Sequence, residues 1–407
     1  MCITLHLPKV ITRDAAAQLA NLARHYPVVC VTGPRQSGKT TLCRATFPGL
    51  PYVSLEPLDV REFATADPRG FLASLPDGAI IDEVQRAPDL FSYLQTEVDG
   101  NPAPGRFILT GSQQLGLMAS VTQSLAGRTG LLELYPPSWA ELKRFPSAPT
   151  ELFDVLWTGA YPRIFDRQIP PHQWLADYVA TYVQRDVRQL LNVGDLRTFT
   201  NFLQLCAGST AGETHLSRLG ADAGISHNTA KAWLSVLEAT YLLFRVPGWH
   251  PTFRKQVVKS AKLHFVDTGV ASYLLGIREP DQLRTHPLRG ALFESWVAAE
   301  LLKRGAHQGI RRELHHYRDA TGLEVDLVST DASGVTLIEA KSGATIASDF
   351  AEGVERLARG VRDRAQDRTI ATRVIHGGMT RQTRGHTQFL PWHEIDQLTW
   401  TDTDGSI

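Results

Sequence analysis

Val28-Val-Cys-Val-Thr32-Gly33-Pro34-Arg35-Gln36-Ser37-Gly38-Lys39-Thr40-Thr41 is the stretch on which the fold turns. Its first five residues show no polar alternation, which suits a strand buried on both faces. They run into a loop of the form G-x-x-x-x-G-K-T, and a helical segment follows from near Lys39, the context that the P-loop pattern requires. In such a loop the glycines let backbone N–H groups close around a β-phosphate and the helix N-terminus favours negative charge. Lys39 can then reach β and γ oxygens, and Thr40 can bind Mg²⁺. Gly33, Pro34, Arg35, Gln36, Ser37, Gly38, Lys39, Thr40 and Thr41 are therefore the candidate nucleotide contacts. Outward from the loop, short apolar runs recur at Tyr52 to Leu55, Ala79 to Ile81, Arg106 to Thr110 and Leu131 to Leu134. Together they predict an α/β fold with a parallel sheet.

The run at Ala79 to Ile81 ends in Asp82-Glu83. Alone, such a pair is usually a solvated turn. Downstream of a phosphate cradle it reads as a metal-and-water element, Asp82 holding the Mg²⁺ shell and Glu83 polarising the attacking water. The strand at Phe107 to Thr110 runs into Gly111-Ser112-Gln113, whose side chains either emerge beside a γ-phosphate or form a plain polar loop. Arg128 precedes the last run, placed to reach a neighbouring subunit's nucleotide or simply to lie on the surface.

The 407 residues, 43% apolar and 21% charged, have room for several domains. Three pieces are expected: an ATPase-like unit over 1–147, a helical segment with a helix–turn–helix or winged helix over 151–280, and a smaller α/β unit over 289–400. A formal net charge of zero excludes a strongly basic nucleic-acid coat or an acidic tail, though not a local basic patch. Cys2, Cys30, Cys43 and Cys206 share no metal-like spacing. The first ten residues lack the order of a signal peptide and no run has eighteen apolar residues, so a cytoplasmic protein without membrane attachment is the expectation.

In the middle piece Trp174, Tyr178 and Tyr182 recur at helical spacing. Leu216 to Ala223, Gly224-Ile225 and Ser226 to Leu237 have helix–turn–helix spacing, with Ser226 as N-cap. In a DNA reader His227, Asn228, Thr229 and Lys231 would face the groove, although many such hairpins only pack. Arg245, Arg254, Lys255, Lys259 and Lys262 follow with Trp249, His250 and Phe253 between them, suited to backbone contact in a winged arrangement or to a solvated face. A second basic stretch runs from Arg356 to Arg384.

In the third piece Glu324-Val-Asp326 and Glu339-Ala-Lys341 fall on neighbouring strands, Glu339 and Lys341 on one face. Asp326 and Glu339 could share a hard divalent cation, Lys341 could position or deprotonate a water, and Glu294 on the preceding helix could complete the acidic set. His315 and His316 point to opposite faces and read as structural.

Several of these stretches together resemble the AAA-type P-loop ATPases of bacteria and archaea that carry a C-terminal domain of unknown function. They are the cradle, Ile81-Asp82-Glu83-Val84-Gln85, Leu109-Thr110-Gly111-Ser112-Gln113, Gly127-Arg128, Gly159-Ala160-Tyr161-Pro162, Tyr182-Val-Gln-Arg185-Asp186-Val187, Phe265-Val-Asp267-Thr-Gly269 and Arg289-Gly-Ala-Leu-Phe-Glu294. That resemblance implies ATP with Mg²⁺, a homo-oligomeric ring, and an arginine supplied between subunits, for which Arg128 is the candidate. The order of elements from Arg289 to His376 resembles the restriction-endonuclease-like nucleases at Glu294, Asp326, Glu339 and Lys341, with Val325 where many members carry proline. It implies a second Mg²⁺ or Mn²⁺ and DNA cleavage. Expected, then, is an Mg²⁺-dependent ATPase coupled to DNA binding and cleavage. The alternative is a nucleotide-switched regulatory or partner-docking protein with an inactive nuclease-like domain.

Overall fold

The computed structural model describes residues 10–112, 124–182, 195–249, 260–310, 312–331, 334–362 and 369–400. Gln113, most of the 182–187 motif, His250, Phe253, Arg254, Lys255 and Lys259 lie outside these residues.

Helix α1 (Ala15–His25) leads into a five-stranded sheet of β1 (Val28–Thr32), β2 (Tyr52–Ser54), β3 (Ala79–Asp82), β4 (Phe107–Thr110) and β5 (Thr129–Glu133). The strand order is β2-β3-β4-β1-β5 and every pairing is parallel. β1, β3 and β4 are buried at every residue, as uninterrupted apolar runs demand, whereas edge strand β5 alternates. Alternate residues feed opposite layers. Cys30, Ile81 and Leu109 pack with Phe71 and Phe91, while Val31, Ile80 and Ile108 pack with Leu19 and Leu42. The covering helices include α2 (Lys39–Thr46), α3 (Leu58–Ala66), α4 (Pro68–Ala73) and α5 (Leu90–Gly100).

The middle of the chain contains α6 (Trp139–Leu142), α7 (Leu152–Thr158), α8 (Pro162–Asp166), α9 (Pro171–Tyr182), α10 (Leu196–Gly208), α11 (Leu216–Ala223) and α12 (His227–Ala239). The 3/4 aromatic spacing becomes a stack on α9, with ring centroids of Trp174 and Tyr178 5.0 Å apart and those of Tyr178 and Tyr182 6.4 Å apart. α11 stops at Gly224 and α12 starts where Ser226 Oγ accepts from the Thr229 N–H at 3.1 Å. Trp233, Leu234 and Leu237 are buried, while His227, Asn228 and Lys231 are exposed. A helical segment with a helix–turn–helix and a winged arrangement was expected; after α12, β6 (Leu243–Val246) and β7 (Lys262–Phe265) form an antiparallel ribbon before α13 (Thr268–Leu274). Each strand has four residues and their partners are distant in sequence, so local periodicity carried little sign of them.

The remainder opens with α14 (Arg289–Gln308). It continues through β8 (Glu313–Arg318), β9 (Glu324–Thr330), β10 (Gly334–Lys341), α15 (Glu352–Arg362), β11 (Thr369–His376), β12 (Gln382–Arg384) and β13 (Thr387–Pro391). Their sheet has the order β12-β13-β11-β10-β9-β8. β8, β9 and β10 are antiparallel, and β11 and β13 then add in parallel. The β12–β13 hairpin was not anticipated: β12 is exposed and polar throughout, so no apolar run announces it. α14 contributes Phe293, Trp296 and Val297 to a core that also holds Trp139, Phe199, Leu237 and Trp392, so the middle and C-terminal parts share apolar packing.

Candidate functional site

β1 ends at Thr32 and hands the chain to the glycine loop, whose Ser37 is buried and whose Lys39 opens α2. Two strands away, β3 brings Asp82 to the same sheet edge. Thr40 Oγ1 donates to Asp82 Oδ2 at 2.9 Å, Tyr52 OH donates to the same oxygen at 2.8 Å, and Thr110 Oγ1 donates to Asp82 Oδ1. The neighbouring strands β2 and β4 thus hold the carboxylate that the loop's threonine meets. Burial, and then Asp82 as acceptor and charge, push the Tyr52 hydroxyl up to about 12.

Lys39 is buried, and its Nζ donates to Gly33 O at 2.9 Å and Pro34 O at 2.8 Å. Burial lowers its pKa to about 8 against the pull of Glu83 and Asp82. The ammonium therefore lies across the loop carbonyls, from which a triphosphate oxygen would have to draw it. Glu83 follows Asp82 in a left-handed conformation, φ 56°, and its Oε2 accepts from Gln85 Nε2 at 2.5 Å. Ser37 Oγ and Ser112 Oγ are buried without hydrogen-bond partners among the described residues. Arg35 is half-buried, and Gln36 and Thr41 are exposed. Arg128 makes a two-pronged pair with Asp99, at 2.5 and 3.0 Å, on α5. A hydroxyl against a carboxylate, a lysine within the loop and an orphaned loop hydroxyl fit Mg²⁺ and a triphosphate: Thr40 and Asp82 would hold the ion.

Other groups around the loop escaped the sequence reading. Arg13 donates through Nη1 to Ser37 O at 2.7 Å, through Nη2 to Tyr135 O at 2.7 Å, and through Nε to Glu141 Oε1 at 2.9 Å. Glu141 Oε2 lies 3.1 Å from Nδ1 of His307, near the end of α14. Tyr241, from the turn after α12, donates to Thr32 Oγ1 at 2.7 Å. None belongs to a local motif; only Tyr52 had a signal, as the start of a run already read as a strand.

The C-terminal carboxylates come together, but around a side chain. Lys262 Nζ is 2.7 Å from Glu294 Oε1, 2.7 Å from Glu324 Oε1 and 3.4 Å from Asp326 Oδ1. Asp326 Oδ2 accepts from Ala340 N at 2.9 Å, and Glu339 Oε1 pairs with Lys341 Nζ at 2.7 Å. Burial and the charge of Asp326 raise Glu294 well above the carboxylate range and Glu339 to about 8. Burial works against the Lys262 ammonium, yet Glu294 and Asp326 outweigh it and hold its pKa above the usual lysine value. Among the described residues no group of three or more His, Cys, Asp or Glu side chains is disposed to hold a metal ion. Glu294, Asp326 and Glu339 as arranged therefore do not fit a second Mg²⁺ or Mn²⁺: the ammonium stands among them. Two basic stretches also need correction. Lys262 is withdrawn from its strip, Arg245 pairs with Glu238 at 2.6 and 2.8 Å, and Arg373 on β11 is fully buried. Arg356, Arg359 and Arg362 remain exposed on α15.

The AAA domain family matches residues 25–143, and two families described as domains of unknown function, DUF8612 and DUF4143, match 149–281 and 289–395. An uncharacterised protein of Mycobacterium tuberculosis, Rv2008c, is 32% identical over 324 residues, covering 77% of this chain and 70% of the relative. Its counterpart in Mycobacterium bovis, Mb2031c, matches to the same extent. The chain belongs with them to a family of AAA-domain proteins. The segment that matches the AAA domain contains Lys39, Thr40, Asp82, Glu83, Ser112 and Arg128. Among solved structures the AAA-type chain is similar to the Walker-type ATPase PABY2304 of Pyrococcus abyssi, with 16% identity over 65% of this chain and 96% of that one and a TM-score of 0.47. No described helix is long and apolar enough to cross a membrane.

Proposed function

We propose that this AAA-type chain is an Mg²⁺-dependent ATP phosphohydrolase whose nucleotide state is passed to a DNA-contacting helix–turn–helix segment. The observation that carries the reading is the 2.9 Å bond between Thr40 and Asp82, which joins the phosphate loop to the acidic strand end. With ATP bound, Mg²⁺ would neutralise charge on the phosphates. Thr40 and Asp82 would orient it, Lys39 would leave Gly33 O and Pro34 O for the β and γ oxygens, and Glu83 would polarise water. Ser112, and Gln113 beyond it, stand as candidates for contact near the γ-phosphate. Arg128 is the candidate trans-acting arginine of a homo-oligomer; its partner Asp99 is on the same chain, so that role requires the pair to part. Exposed His227, Asn228 and Lys231 on α12 support the DNA reading.

Lys39→Ala should lose ATP binding, whereas Glu83→Gln should keep ATP bound while hydrolysis falls by about 10²–10⁴-fold. Nucleotide titration and phosphate release separate the two, and unchanged turnover in Glu83→Gln would remove its assignment.

Lys262 among the carboxylates favours a second reading, in which the C-terminal unit is a docking module that does not cleave. Incubating wild type and Lys341→Ala with duplex, single-stranded and branched DNA in Mg²⁺ or Mn²⁺ decides between them. Cutting by wild type alone supports cleavage; no cutting supports docking.

A further inference from the structure

Among the described residues, Lys262 is a lysine with three carboxylates within 3.4 Å of its Nζ, and it is 2% exposed. An ammonium has three N–H groups, and here three carboxylate oxygens, of Glu294, Glu324 and Asp326, receive them. The carboxylates belong to the C-terminal unit: Glu294 to α14, and Glu324 and Asp326 to one face of β9. The lysine comes from β7, whose partner strand β6 belongs to the middle of the chain. Burying one such charge without partners costs several kcal/mol, so the arrangement persists only because the charges meet.

The set remains rich in negative charge even with Lys262 inside. Behind Asp326, Glu339 is 8% exposed, and while its Oε1 faces Lys341, its Oε2 is buried without a hydrogen-bond partner among the described residues. Four carboxylates, of Glu294, Glu324, Asp326 and Glu339, thus share two ammonium groups, with Arg318 3.9 Å from Glu324 at the outer side. Hard oxygens from three elements are the donor chemistry of a divalent cation, but oxygens 2.7 Å from a nitrogen leave no second position for an ion that binds at about 2.0–2.6 Å. The backbone reinforces the placement. Phe265 N, on the same strand as Lys262, donates to Oγ of Ser295, the neighbour of Glu294, at 3.1 Å.

We infer that Lys262 is a built-in cation that occupies a divalent-ion position in the C-terminal unit and, by doing so, latches the β6–β7 ribbon to α14 and β9. The carboxylate nest admits a divalent ion only once this ammonium is removed. This latch is independent of any nucleotide turnover by the chain.

The test uses the full chain without nucleotide and Mn²⁺ as probe, read by electron paramagnetic resonance and by thermal unfolding. Lys262→Met should have a lower Tm than wild type and bind a single Mn²⁺ about tenfold or more tightly than wild type does. Mn²⁺ should raise its Tm and leave that of wild type unchanged. The gain should vanish in Lys262→Met/Asp326→Asn. A folded Lys262→Met that takes up no Mn²⁺, or a wild type that binds the ion equally well, overturns the proposal. If Lys262→Met does not fold alone, refolding with and without Mn²⁺ replaces the unfolding scan. Recovery only with the ion supports the latch, and none in either condition overturns it.

Discussion

Gly33 has φ 145°, and a Cβ there would lie 2.1 Å from Leu134 O, beyond β5. The residue therefore does more than loosen the phosphate loop: it lets the loop pass against the sheet. Gly33→Ala should cost more than about 1–3 kcal/mol, because backbone strain adds to the clash, and should also weaken ATP binding. Denaturant titration and nucleotide binding check both; wild-type values in each would sink the account. Gly33 was legible as part of a motif, but its contact with Leu134 was not, since that depends on which strand becomes the neighbour of β1. Asp82 tells the same story. Its pairing with Thr40 follows from the reading of two motifs, whereas Tyr52 and Thr110 reach it only because β2 and β4 flank β3.

At the scale of elements, fully apolar strands and capped helices were readable because their signals are local. Ser226 closes α12 with a hydrogen bond to Thr229 N, so Ser226→Ala should destabilise the protein by about 1 kcal/mol with the exposed α12 face intact. Chemical unfolding measures it, and no loss would mean that the cap is dispensable. The paired motifs at Gly159 and Asp267 show what locality conceals. Asp267 Oδ2 accepts from Ala160 N at 2.7 Å and its Oδ1 accepts from Val270 N at 3.2 Å, so one carboxylate joins the end of α7 to the start of α13. A Cβ on Gly159 would lie 2.1 Å from that carboxylate. Two stretches noted only for family resemblance turn out to be halves of one packing joint. Lys262 was misplaced for the converse reason: its neighbours in sequence are basic, but its neighbours in space are acids from two other elements.

Across the whole molecule, Glu141 is the buried junction between Arg13, which touches the phosphate loop, and His307 of α14. Burial opposes its ionisation, but the bond and charge of His307 and the charge of Arg13 overcome it, holding the carboxyl well below the usual value of 4.5. A depressed acid pKa adds stability that is fully present above the unfolded value and is lost as pH falls toward the folded one. Glu141→Gln should therefore be less stable at pH 7 by roughly 3–5 kcal/mol, and the gap should narrow progressively below about pH 4.5. Unfolding of both proteins across pH measures this; a constant gap would contradict the charge-based account. α14 carries His307 near one end and Glu294 near the other, about 20 Å apart at helical rise. Most of its inward residues are buried along that length. A rod so clamped transmits thrust rather than absorbing it. Under the proposed ATPase function, a tilt imposed by the phosphate loop at the His307 end would be felt at the opposite tip as a sideways pull on the ammonium held there.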